Sequence, residues 1–358
     1  MKYFLILLFI TPIYVLAKPL NVWYLSAGST GYWGKTLIPM PGVAKQLDIN
    51  LSIFTNNEYQ QDYHRNLETL LTKYEKPDWI IWTQRRIKPT LILDTLEKHK
   101  INSIDVTSGF KDFQLNEVGH PQQRYKHWKA QVLTDEFDGG KRVAVELMKL
   151  VKSERSIQDV KLAAIAGTRT TDAAVKTVNG LTSEFQVIRK ERLLQIVFAT
   201  WNRNTANRLT EKLYKRYPRI DAFWSASPLI ALGVNDHLDT MNFSDKERPF
   251  VGNVGWADES AKAIEEGKIA FSLIGNNLNP VWALILIKDM SQGIQIPAPH
   301  RNNKFSLPYL LVNKANLEKI KPLMAKEFWY TANIKQYSRF YNSELKTYNF
   351  DPALLIAD

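Results

Sequence analysis

The sequence predicts an α/β chain of two doubly wound, Rossmann-like lobes, and three observations carry that expectation. Apolar runs of strand length alternate with helix-spaced segments over residues 20–133, and the alternation starts again over residues 162–274. One run, Trp79–Thr83 (WIIWT), is apolar almost without interruption, as a strand buried on both faces of a parallel sheet must be. The 358 residues contain no cysteine, so two hydrophobic cores rather than disulfides must supply the stability.

In the first series, residues 20–25 form an apolar strand that ends in the small residues Ser26 to Gly31, followed by Tyr32 and Trp33. Residues 43–47 close a first helix and 51–54 make a second strand. Residues 63–74 have apolar positions at helical spacing, and residues 90–99 repeat that pattern with Leu91, Leu93 and Leu96. Residues 101–106 and 130–133 are further strands. The stretch 109–129 is polar, aromatic and irregular. A helix over 137–152 leads into the second series: strands at 162–166, 193–199, Ala222–Ser225, Phe250–Val254 and 269–274, with helices at 172–185, 205–217, 229–238 and 257–266. The tail from Lys314 is aromatic and helical in character.

Residues 1–17 have the pattern of a cleaved export leader: Lys2, an apolar core over 3–14 broken by Thr11 and Pro12, then Val15-Leu16-Ala17 at the cleavage positions. The core is too short for a permanent anchor, and the longest later apolar run, 281–287, ends at Lys288 and Asp289. The mature chain is expected to begin near Lys18, outside the cytoplasm. The formal charge is +11, but the cations are spread over helix faces (Lys73, Lys141, Arg142, Lys212, Lys215, Arg216) without an arginine-rich arm. The basic balance therefore points to a solvated surface and not to nucleic acid.

Catalytic and metal signatures are weak. Gly28-Ser29-Thr30-Gly31 approaches a nucleophile elbow, but Ala27 stands where the first glycine is needed, so an exported hydrolase is the lesser alternative. The turn Gly167-Thr168-Arg169-Thr170-Thr171 precedes a helix and lacks the Gly-Lys-Ser/Thr of a phosphate loop. The six histidines are scattered with no metal-ligand spacing, and neither cofactor nor metal is expected. What the pattern favours is binding. In doubly wound sheets ligands lie beyond the carboxyl ends of the strands, where the small-residue loop presents Tyr32 and Trp33. Trp201 follows a strand in the same manner.

These residues carry a resemblance. Tyr32-Trp33 after the first strand, Asp105 ending the fourth, and Thr134-Asp135 before Gly139-Gly140 occur in the order found in type I periplasmic binding proteins. So do Trp201-Asn202-Arg203, Pro218-Arg219-Ile220-Asp221-Ala222, Ala231-Leu232-Gly233, Val251-Gly252 and Glu266-Gly267-Lys268. The chain resembles the sugar-binding members of that family, including the branch of ribose, galactose and autoinducer-2 receptors, over residues 21–312. The resemblance implies a two-lobed clamp with a three-stranded hinge. One lobe would comprise residues 18–134 and 276–303, the other 135–275 and 304–358, with hinges near Asp135, Gly275-Asn276 and 303–306. It implies a periplasmic protein that captures a small sugar or sugar-like ligand and presents it to an inner-membrane ABC permease, or alternatively to a transmembrane sensor.

The ligand-binding residues implied are Thr30, Tyr32, Trp33, Asp105, Arg169, Trp201, Ser227, Trp256 and Asn276. Tyr32 or Trp33 and Trp201 would sandwich a sugar ring, Asp105 would accept hydroxyl bonds, and Trp256 would close the pocket. Several polar positions depart from the family pattern: Gly28, Val106, Ser227-Pro228, Gly255 and Gly275-Asn276. Arg169 or Lys176 would supply a cation, which would suit a ligand with an acidic group.

Overall fold

The structure is a computed structural model that describes residues 19–55, 62–84, 88–186, 191–244, 247–298 and 300–356; residues 1–17, read above as an export leader, lie outside the described residues. Its strands are β1 (Leu20–Ser26), β2 (Ile49–Thr55), β3 (Trp79–Thr83), β4 (Asn102–Val106), β5 (Trp128–Thr134), β6 (Lys161–Ala166), β7 (Arg192–Phe198), β8 (Ala222–Ser225), β9 (Phe250–Val254), β10 (Phe271–Ile274), β11 (Lys304–Leu307) and β12 (Leu310–Asn313). They form two six-stranded sheets, in the orders β11-β5-β4-β3-β1-β2 and β12-β10-β9-β8-β6-β7. Every pairing is parallel except β12 with β10. In each sheet the strand order reverses at the first strand of its series, so each lobe is doubly wound as the two series predict.

The strands form where both faces can be covered. Along β1, Val22 and Tyr24 enter one core while Trp23 and Leu25 enter a second cluster with Ile80 and Trp82 of β3. All five residues of β3 are buried. The helices of the first series are α1 (Gly31–Leu37), α2 (Met40–Gln46), α3 (Asp62–Lys73), α4 (Pro89–Lys98) and α5 (Asp112–Val118). The single helix expected after β1 is two, because Pro39 and Pro41 interrupt the backbone ladder between them. The irregular stretch also holds one helix, α5.

The second series has α6 (Glu136–Arg155), α7 (Asp172–Ser183), α8 (Arg203–Arg216), α9 (Pro228–Leu238) and α10 (Ser260–Glu265). Asp135 caps α6 by accepting the Asp138 amide at 3.0 Å. Helices α6 and α7 meet through glycines: a Cβ on Gly140 would lie 1.9 Å from the Thr177 carbonyl oxygen, and one on Gly180 1.9 Å from that of Phe137. Only glycine permits that approach.

The chain leaves the first sheet after β5 and returns after β10 through α11 (Asn279–Ser291), which packs on β3, β4, β5 and α2. It leaves again between β11 and β12. That third crossing corrects the expectation for residues 303–306: β11 pairs with β5 in the first sheet, and the chain changes lobe at Pro308-Tyr309.

The tail also departs from its expected place on the second lobe. It begins there, with α12 (Leu317–Ile320) beside β12 and Lys321 paired to Glu265, and then crosses to the first lobe. There α13 (Phe328–Thr331) lies on α2, where Gln46 donates to the Trp329 carbonyl at 2.8 Å. Helix α11 is apolar around its circumference and therefore needs covering on every side. The tail supplies the outer cover: Phe350 stacks on Trp282 at 4.9 Å, and Tyr337 meets the same ring edge-on. The fully buried Asp289 carboxylate fastens it, accepting the amides of Arg339 (2.6 Å) and Phe340 (3.2 Å), the Tyr348 hydroxyl (2.9 Å) and the Ser338 hydroxyl.

Candidate functional site

The carboxyl ends of both sheets meet the chain crossings, and a cluster of buried polar groups lies there. Tyr32, in the first turn of α1, is half-buried and donates its hydroxyl to the Asn276 carbonyl at 3.2 Å. Trp33 stands edge-on to it, ring centres 5.1 Å apart. Burial, with the nearby Glu136 and Tyr24, pushes the Tyr32 phenol well above its ordinary range, and the Thr107 hydroxyl close by acts in the opposite sense. Gly275, immediately before Asn276, has φ +135, a conformation that favours glycine. Asn276 turns the chain from β10 toward α11.

Around these residues several buried polar atoms lack a hydrogen-bond partner: Asn276 Oδ1, Asn279 Nδ2, Thr107 Oγ1 and the Tyr309 hydroxyl. Asn279 is fully buried and accepts the Thr134 hydroxyl at 3.2 Å through its carbonyl alone. Glu136, the first residue of α6, is half-buried beside Tyr309, whose hydroxyl is near but not in hydrogen-bond geometry. Burial raises the Glu136 carboxyl to about 8; Asp172 and Asp135 act in the same sense, and Tyr309 and Lys176 oppose them.

The structure brings Tyr32, Trp33 and Asn276 together with Asp135 and Gly275, where the chain passes between the two sheets. The other expected residues have their own contacts. Asp105 is fully buried, and both its oxygens are taken, by Trp128 Nε1 at 2.6 Å and Gln131 Nε2 at 2.7 Å. It anchors β4 to β5, raised to about 7 chiefly by burial, and does not serve as the open hydroxyl acceptor expected. Trp256 is 4 % exposed and packs in the main core. Ser227 is occupied as the cap of α9, accepting the Ile230 amide at 3.3 Å. Arg169 is exposed, and its guanidinium rests 4.2 Å from the Phe198 ring centre. Thr30 is exposed at the start of α1 without capping it. Trp201 adopts φ +64 and lies flat on Gly167, where a Cβ would be 2.2 Å from Cζ2. It is half-buried at the second-lobe end of β7.

Sequence reasoning did not find Glu136, Thr107, Asn279 or Tyr309. Glu136 follows a capping aspartate and looks like an ordinary first-turn acid. Thr107 carries one detectable anomaly, φ +75, visible only in the structure. The lobes touch on both sides of this cluster. Lys35 of α1 pairs with Asp258 of the second lobe, and a Cβ on Gly109 would lie 2.9 Å from Asp172 Oδ2. Among the described residues no group of three or more metal-ligating side chains occurs.

No family model and no curated protein matches the sequence. Solved structures do. A periplasmic sugar-binding protein from Pseudomonas fluorescens superposes with a TM-score of 0.81 at 22% identity, covering 94% of this chain and 99% of that one. The fold is that of a periplasmic sugar-binding protein. An ABC-transporter solute-binding protein of Actinobacillus succinogenes with bound D-allose matches at TM-score 0.69 and 17% identity, over 84% of this chain and 99% of that one. One of Bacillus halodurans with bound myo-inositol matches at 0.69 and 15%, over 85% and 98%. The two six-stranded parallel sheets with crossing chains are the architecture these neighbours share.

Proposed function

We propose that the protein is a periplasmic solute-binding protein that takes a sugar or sugar-like polyol between its lobes and presents it to an ABC permease of the inner membrane. The observation that carries this reading is the unpartnered polar set at the crossings, both donors and acceptors, beside the Tyr32 and Trp33 rings. A buried polar group without a partner costs about 1–3 kcal/mol. A ligand hydroxyl donates and accepts at once, so several on one small ring would satisfy a mixed set. The neighbours described as ABC-transporter proteins with D-allose and myo-inositol support the same assignment, and the leader pattern supports export. Nothing in the neighbours favours a sensor, and no catalytic step belongs to this reading. The ligand would act by population: it stabilises the closed arrangement in which both lobes reach it, and the permease reads that state.

A thermal-shift screen of the mature protein over neutral sugars, polyols and sugar acids tests this. A true ligand at a hundredfold excess over its Kd stabilises the native state by about 2.7 kcal/mol. Trp33→Ala and Trp201→Ala are expected to remove the shift while leaving the unliganded melting cooperative. Failure of every compound to shift the wild type contradicts the reading.

A further inference from the structure

Glu136 is a carboxyl group in an unusual position. It stands at the first crossing between lobes, half-buried, and among the described residues it has neither an ion pair nor a hydrogen bond in bonding geometry. A carboxylate held only half open to water is ordinarily paired. The groups that face it are Asp135 on its own helix, Tyr32 of α1, Tyr309 of the third crossing, and Asp172 with Lys176 of α7. Lys176 is already committed to Asp172 at 2.7 Å. No cation of these is left to pair with Glu136. Three carboxylates and one shared ammonium surround a floor whose remaining groups are neutral: Thr107, Asn276, Asn279 and the two tyrosines.

We propose that Glu136 is the ligand-contacting acceptor of the site, taking a hydrogen bond from an O–H or N–H donor of the captured polyol and turning away ligands that carry an acidic group. The inference rests on the capture reading above and names the residue and ligand class within it. Before binding, the carboxyl holds a proton at neutral pH, in keeping with its raised affinity for one. When the ligand donates to it, the carboxylate forms and the displaced proton passes to bulk water. A sugar acid would set its own negative charge against Asp135 and Asp172 and would oppose the loss of the Glu136 proton, so the charged hydrogen bond would not form. This replaces the expectation of an acidic ligand held by Arg169, whose guanidinium lies on Phe198.

Calorimetry on the mature protein tests it with matched triples, each a neutral hexose, its 2-amino derivative and its uronic acid, at pH 7 in two buffers of different ionisation enthalpy. The neutral or amino member is expected to bind the wild type with measurable proton release, and the uronic acid at least about tenfold more weakly than its neutral parent, the scale of one charged hydrogen bond. In Glu136→Gln the release disappears, the bound member weakens about tenfold, and the gap to the uronic acid narrows. The neutral and amino arms tell a hydroxyl donor from an ammonium. Binding of the same ligand to Glu136→Gln within about threefold and with unchanged proton release overturns the inference while the capture reading stands, as does a uronic acid that binds the wild type best. Absence of binding by every compound removes both. The glutamine variant has the shape of the protonated acid, and a cooperative melt at pH 6 verifies its fold.

Discussion

At the scale of single residues, Asp105 and Glu136 show how alike two acids look in sequence and how unlike they are in place. Asp105 ends a strand, which is where a ligand-binding acid would stand, yet Trp128 and Gln131 occupy both its oxygens. Nothing in the sequence reveals that, because both donors arrive on β5, more than twenty residues downstream. Asp105→Ala would strand a buried indole N–H and a buried amide, and is expected to lower stability by about 2–4 kcal/mol in urea unfolding while leaving ligand affinity unchanged. Asp105→Asn, with the Gln131 amide turned, should come close to wild type. Glu136 gives the opposite result. Its folded carboxyl titrates near 8 against an ordinary 4.5, so the folded state binds the proton more tightly than the unfolded chain does. Its contribution to stability is complete below pH 4.5 and is lost as the pH rises through 8. The wild-type melting temperature should therefore fall more steeply between pH 6 and pH 9 than that of Glu136→Gln.

At the scale of elements, the strands and most helices were legible because their burial is local and periodic. A parallel strand covered on both faces must be apolar throughout, and Trp79–Thr83 declares itself in five letters. The tail was not legible in that way. Its aromatics cover α11, a helix that precedes them by some fifty residues, and neither segment shows a polar face that would identify its partner. The third crossing was missed by a few residues for a related reason: β11 and β12 are short, adjacent and assigned to different sheets by pairing alone. Asp289 makes the attachment testable. Asp289→Ala leaves the Tyr348 and Ser338 hydroxyls and two backbone amides without their acceptor. The expected cost is roughly 3–5 kcal/mol, with early proteolytic cleavage in residues 325–350. An unchanged digestion pattern would show that the aromatic stacking on Trp282 holds the tail by itself.

At the scale of the whole molecule, the lobes form one polar interior at the crossings and touch again at their rims. Lys35 and Asp258 join across the rim, but Asp258 is largely exposed. Such a pair is worth at most about 1 kcal/mol, so Lys35→Ala should weaken ligand binding by no more than roughly fivefold and less at high salt. On the capture reading proposed above, closure depends chiefly on the ligand, which would satisfy the buried polar atoms at the crossings. The clamp itself was visible in the order of the sequence motifs, while the chemistry of its floor was not, because four residues far apart in the chain converge only after folding. Small-angle X-ray scattering of the mature protein with each compound of the sugar panel tests the central claim most directly. A compound that raises the melting temperature is expected to narrow the distribution of interlobe distances, with a smaller or equal radius of gyration, and Trp33→Ala should show neither change. A compound that stabilises the protein yet leaves the scattering of both proteins identical, and binds Trp33→Ala as tightly as the wild type, would contradict capture between the lobes.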